Sequence, residues 1–146
     1  MSHLFYLGVP NYFFNFASDA RPRPKTGERH GQDNIIHSKY PNMKQKIEER
    51  LAALRAHMAA NGISAVIIPQ TDSHQSEYIA DHWKVREHFS GFNGSAGTLV
   101  VTADKALLWV DSRYFLQGAQ QLQGTETILM KEGLDETPSI EEWLSA

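Results

Sequence analysis

The 146-residue sequence predicts an α/β fold, a mixed β-sheet flanked by helices, from three observations. Apolar residues recur at Ile47, Leu51, Leu54 and Met58 in a run rich in Glu, Arg, Ala and Lys, the spacing of an amphipathic helix. Ile63 to Ile68 is a short, nearly continuous β-rich run, as in strands covered on both faces. Thr98 to Thr102 and Ala106 to Val110 flank the turn Ala103-Asp104-Lys105 and form a hairpin, after which helical and extended patterns alternate. With 41% apolar residues the chain can build the core of one domain.

Taken in order, residues 1–42 stand apart. Phe5, Tyr6, Tyr12, Phe13, Phe14 and Phe16 bunch together, and Asp19 to Asn42 is polar and broken by Pro22, Pro24 and Pro41, with no lasting period. Five Lys/Arg against three Asp/Glu leave this part at +2, and nine against fourteen leave residues 43–146 at −5. Residues 1–42 are therefore expected to be an N-terminal extension, mobile or loosely docked, and 43–146 the domain. The helix from Lys44 ends at Asn61-Gly62, which tolerate the left-handed conformation that closes a helix. The strand Ile63 to Ile68 stops at Pro69. Gln70 to Phe89 is dense in ionisable groups and reads as a loop with one or two helical turns, anchored by Tyr78, Ile79, Trp83, Val85 and Phe89. Gly91 to Gly97 leads into the hairpin. A helix from Ser112 to Leu122 presents Tyr114, Phe115 and Leu122 on its apolar side, a strand follows at Glu126 to Met130, and Pro138 opens a short helix through Leu144. The chain stops within about two residues of that helix, which reads as a cut.

Composition removes several classes of function. A net charge of −3 offers no excess of basic residues for nucleic acid or acidic lipid. Zero cysteines exclude disulfides, thiolate zinc sites and cysteine nucleophiles, and fit a cytoplasmic location. The longest apolar run, His3 to Ala17, is interrupted by Gly8, Pro10, Asn11 and Asn15 before the ~20 residues a membrane span needs, and no basic segment precedes it as in a secretory signal. The sequence reads as a soluble protein with no membrane or nucleic-acid partner.

The Gly-rich stretch runs G-x-x-G-x-x-G and precedes a strand, whereas a dinucleotide site needs G-x-G-x-x-G between strand and helix. A tight connection, in which Asn93-Gly94 and Gly97 supply unusual backbone angles, is favoured. Asp72, His74, Asp81, His82 and His88 lack the H-E-x-x-H arrangement of a zinc helix, so a hydrogen-bonded loop is preferred to a metal site. No G-x-S-x-G elbow marks a serine nucleophile. Arg113 follows a strand end at Asp111 and opens a helix, a place where α/β proteins put ligand contacts. Its guanidinium could hold a carboxylate or peptide carbonyl, or serve only as a structural ion pair with Asp111.

Four blocks in fixed order then narrow the reading: Ile67-Ile68-Pro69; Asp72-Ser-His-Gln-Ser-Glu-Tyr-Ile79; Phe89-Ser-Gly-Phe-Asn-Gly-Ser-Ala-Gly-Thr98; and Trp109-Val-Asp-Ser-Arg-Tyr-Phe-Leu-Gln117. Together with Leu129 to Leu134, Thr137-Pro138 and Glu142-Trp-Leu144, this part of the chain resembles the N-terminal domain of aminopeptidase P (Xaa-Pro aminopeptidase) of the long, three-domain type. The resemblance spans Lys44 to Ala146 and implies the creatinase/prolidase-like α/β fold. It implies an enzyme that removes the residue before a proline at the second position of a peptide. Its divalent metals, manganese, are expected in a separate catalytic domain, leaving no catalytic residue, metal ligand or cofactor in this chain. Arg113 matches the family arginine that reaches the peptide substrate, with Asp72, His74 and Glu77 as further candidates near the same cleft. The implied partners are such a peptide, the remaining domains of the parent chain, and further copies in a cytoplasmic homo-oligomer. The other reading is a free-standing peptide-binding or interaction module that keeps the fold without hydrolase activity.

Overall fold

The computed structural model describes residues 3–6, 41–71 and 79–146, with backbone alone at 3–6, 41, 42 and 82. The sheet has the order β1-β2-β3-β4-β5, with strands β1 (His3–Tyr6), β2 (Ile63–Pro69), β3 (Thr98–Thr102), β4 (Ala106–Val110) and β5 (Ile128–Lys131). β1 runs parallel to β2, β2–β3 and β3–β4 are antiparallel, and β4–β5 is parallel, so the sheet is mixed as expected. β1 falls inside the stretch that composition set apart, a strand for which that stretch gave no periodic signal.

The helices are α1 (Pro41–Ala60), α2 (Val85–Ser90), α3 (Phe115–Gln121) and α4 (Ile140–Ser145). α1 begins at a proline, which costs nothing in a first turn whose N–H groups have no intrahelical partner. α2 ends at Gly91, whose left-handed backbone (φ 73°) lets its N–H donate to the Glu87 carbonyl at 2.8 Å. α4 starts at a capping box: the Ser139 hydroxyl accepts from the Glu142 N–H at 3.2 Å, and the Glu142 carboxylate accepts from the Ser139 N–H at 2.8 Å. That pairing holds the Glu142 carboxyl below its ordinary range, the Ser139 N–H contributing most.

The hairpin register explains why β3 and β4 are apolar at nearly every position. Leu99 lies opposite Leu108 and Val101 opposite Ala106 toward one face, while Val100 lies opposite Leu107 toward the other. The first face packs on Ile47, Leu51, Leu54 and Met58 of α1, on Phe89 and Phe92, and on Leu122. The second packs Val100, Leu107 and Trp109 against Ile140, Trp143 and Leu144 of α4. Trp109 and Trp143 meet edge-on at 6.0 Å between ring centroids, and the Trp109 indole N–H donates to the Pro138 carbonyl at 2.9 Å. Covering both faces buries all five residues of β4 and places its C-terminal end, just before Asp111, at the rim of a rigid scaffold.

Candidate functional site at the end of the fourth strand

At that rim β4 gives way to a one-turn 3-10 helix, Ser112–Tyr114, that leads directly into α3. Asp111 caps the turn, its carboxylate Oδ1 accepting from the Arg113 N–H at 3.0 Å. The same carboxylate grips the Arg113 side chain through both oxygens, with Nε to Oδ1 at 2.9 Å and Nη2 to Oδ2 at 2.8 Å. The guanidinium also lies 5.4 Å from the centroid of the Tyr114 ring. Arg113 is the outer partner, its side chain 69% exposed against 35% for Asp111. The Arg113 side-chain hydrogen bonds hold the Asp111 carboxyl below the ordinary aspartate range. The ion pair that the sequence left open as an alternative is thus formed, and it sets the direction in which an exposed guanidinium is presented.

Beside Arg113 lies the Gly-rich connection. The Ser95 and Tyr114 hydroxyls are 2.6 Å apart, so the residue next to Arg113 is tied to the loop. Asn93 fastens the other side to α3: its side-chain carbonyl accepts from the Gln117 and Gln121 amides at 2.8 Å each, and its N–H donates to the Gln121 Oε1 at 3.1 Å. Beneath the loop Arg86 is fully buried, its Nη1 donating to the Gly97 carbonyl at 3.1 Å and its Nη2 to the Gly94 carbonyl. Burial draws the Arg86 pKa down to about 10, opposed by the charge of Glu87, so it remains a cation at neutral pH. The Phe92 ring lies 4.9 Å from this guanidinium.

Two expectations change here. Gly97 does adopt a positive φ (129°), but Gly94 does not. A Cβ at Gly94 would stand 2.8 Å from Phe92 Cε1 and 2.9 Å from Tyr114 Cδ1, so this glycine answers crowding and not backbone angle. The second concerns Gln70 to Phe89, where the 3-10 turn Asp81–Trp83 and α2 supply the expected helical turns while Arg86 and Ser90 are buried inside the fold. Arg86 read only as one of many ionisable loop residues. The available signal was its position three residues before Phe89, on the same helical face.

Of the other proposed contacts, Asp72, His74 and Glu77 lie outside the described residues, and His82 is described in backbone only. The His88 ring packs edge-on against Phe89 at 5.0 Å, and its carbonyl accepts from Arg50 Nη1 at 3.0 Å. Among the described residues no group of three or more His, Asp or Glu is placed to hold a metal ion, and no helix is long and apolar enough to cross a membrane. At this rim the described residues thus present an exposed arginine paired with Asp111, and among them there is no metal-ligating set.

The mixed sheet, its covering helices and this rim define a creatinase/prolidase-like domain. Residues 50–146 match the Creatinase/Prolidase N-terminal domain, and the chain belongs to that family. It is 48% identical over 101 residues to Aminopeptidase P2 of Arabidopsis thaliana, covering 68% of this chain and 14% of that protein. It is 50% identical over 93 residues to the Xaa-Pro aminopeptidase ApepP of Drosophila melanogaster, covering 63% of this chain and 15% of that protein. Among solved structures it resembles the X-prolyl aminopeptidase of Caenorhabditis elegans, described as a cytosolic enzyme with a di-nuclear active site. That match has a TM-score of 0.62 and 38% identity, covering 67% of this chain and 17% of that one. The chain thus spans about one seventh of the length of these curated relatives.

Proposed function

We propose that this chain acts as the non-catalytic N-terminal domain of a metal-dependent Xaa-Pro aminopeptidase, supplying a peptide contact at the rim while bond cleavage takes place in a separate domain. The observation that carries the reading is Arg113: exposed, clamped by Asp111, and mounted at the end of a strand buried on both faces. A guanidinium held in this way donates to a peptide carbonyl or carboxylate. Such a bond is worth about 1.5–3 kcal/mol in a closed cleft and about 0–1 kcal/mol while open to water. The contact therefore matters once a second domain closes over it.

In this reading the substrate is a peptide with proline second, and Asp72, His74 and Glu77 help to orient it. The divalent metal, manganese, sits in the other domain, and the enzyme works as a cytoplasmic homo-oligomer. The relatives' names and the di-nuclear site of the Caenorhabditis elegans enzyme support it. The test is a cleavage assay on an Xaa-Pro peptide with manganese, comparing this chain alone with a full-length enzyme that carries it. Cleavage by the full-length enzyme only is the expected result. Turnover by the 146-residue chain alone would transfer the chemistry to this domain and end the proposal.

A further inference from the structure

We propose that Asp111 is a positioning residue for the peptide contact, fixing the direction of the Arg113 guanidinium before substrate arrives; this rests on the function proposed above. A surface arginine has several rotatable bonds, and holding it in one pose costs side-chain entropy at the moment of binding. Here that cost is met in advance. One carboxylate fixes three groups of Arg113 at once: the backbone N–H at 3.0 Å, Nε at 2.9 Å and Nη2 at 2.8 Å.

The clamp is itself held. Asp111 follows β4, whose residues are all buried, and its carboxylate caps the 3-10 turn, so the acid cannot swing without unmaking the turn. Tyr114 closes the third side, its ring 5.4 Å from the guanidinium and its hydroxyl 2.6 Å from that of Ser95. Because Asp111 engages the Nε–Nη2 edge, the guanidinium is oriented with its Nη1 side away from the carboxylate.

Asp111→Asn separates positioning from folding, because asparagine caps a helical turn as well as aspartate does while losing the charge and one acceptor of the fork. In the full-length enzyme, steady-state kinetics on an Xaa-Pro peptide are expected to show KM raised several-fold in Asp111→Asn with kcat within about two-fold of wild type. Asp111→Glu should recover part of the loss, and Asp111→Asn combined with Arg113→Ala should be no worse than Arg113→Ala alone. On this chain itself, the Arg113 Nε–H resonance should be shifted and slow to exchange, and should lose both properties in Asp111→Asn. An unchanged KM in Asp111→Asn beside a raised KM in Arg113→Ala would overturn the positioning role and leave the proposed function standing. No effect of Arg113→Ala would instead remove the proposed function on which it rests. A fast-exchanging Nε–H in the unaltered chain would also overturn the positioning role.

Discussion

Arg86 is a buried cation that holds the connection beside Arg113 from beneath. It is fully buried and its two Nη groups hold the carbonyls of Gly94 and Gly97, which keeps the connection beside Arg113 in one shape. Replacing it with methionine strands those acceptors in a site closed to water, and is expected to cost about 2–4 kcal/mol, read as a lower urea midpoint. Gly94→Ala tests the same loop from its apolar side: the added methyl meets Phe92 and Tyr114, and about 1–3 kcal/mol of stability should be lost. The Asp111 carboxyl, held down by Arg113, gives a pH signature. Because its folded-state pKa is depressed, the stabilisation it brings is present above the unfolded aspartate value and is lost as pH falls through the folded one. Carboxyl NMR should find Asp111 titrating below ordinary aspartates, and Arg113→Ala should move it upward.

Among the elements, the two ends of the alternation differ in how much the sequence disclosed. The hairpin was legible to the residue, since two apolar runs flank a short polar turn and both faces of the strands are buried. α3 was legible too, with Phe115 and Leu122 reaching the core as their spacing requires. α2 was legible only as an unplaced helical turn, because two of its three buried residues, Arg86 and Ser90, are polar and erase the apolar period that would have fixed its bounds. β1 escaped for another reason: it is a four-residue strand whose pairing with β2 is a long-range contact. At the site, Arg113 could be picked out by its place after a strand, whereas the Asn93, Gln117 and Gln121 network joins residues more than twenty positions apart and has no local signature. α4 offers the test proper to this scale. Ser139→Ala removes the hydroxyl half of its capping box and should cost about 1 kcal/mol, measured by thermal unfolding.

At the scale of the whole fold, the described residues form a sheet whose central strands are covered on both faces, with one clamped arginine at its rim. The inner strands are rigid because Leu99, Val100, Val101, Leu108 and Val110 are fully enclosed. Truncating Leu108 to alanine should therefore cost about 2–5 kcal/mol and soften the base on which Asp111 stands. In the function proposed above, this scaffold orients a peptide for chemistry performed elsewhere. The most direct test is kcat/KM for an Xaa-Pro peptide in the full-length enzyme with and without Arg113→Ala. A charged hydrogen bond lost from a closed cleft lowers it by roughly 10- to 150-fold, while the unfolding midpoint falls only slightly, by what the exposed pair with Asp111 contributes. An unchanged kcat/KM would contradict the account, because the one contact this domain is argued to supply would then contribute nothing.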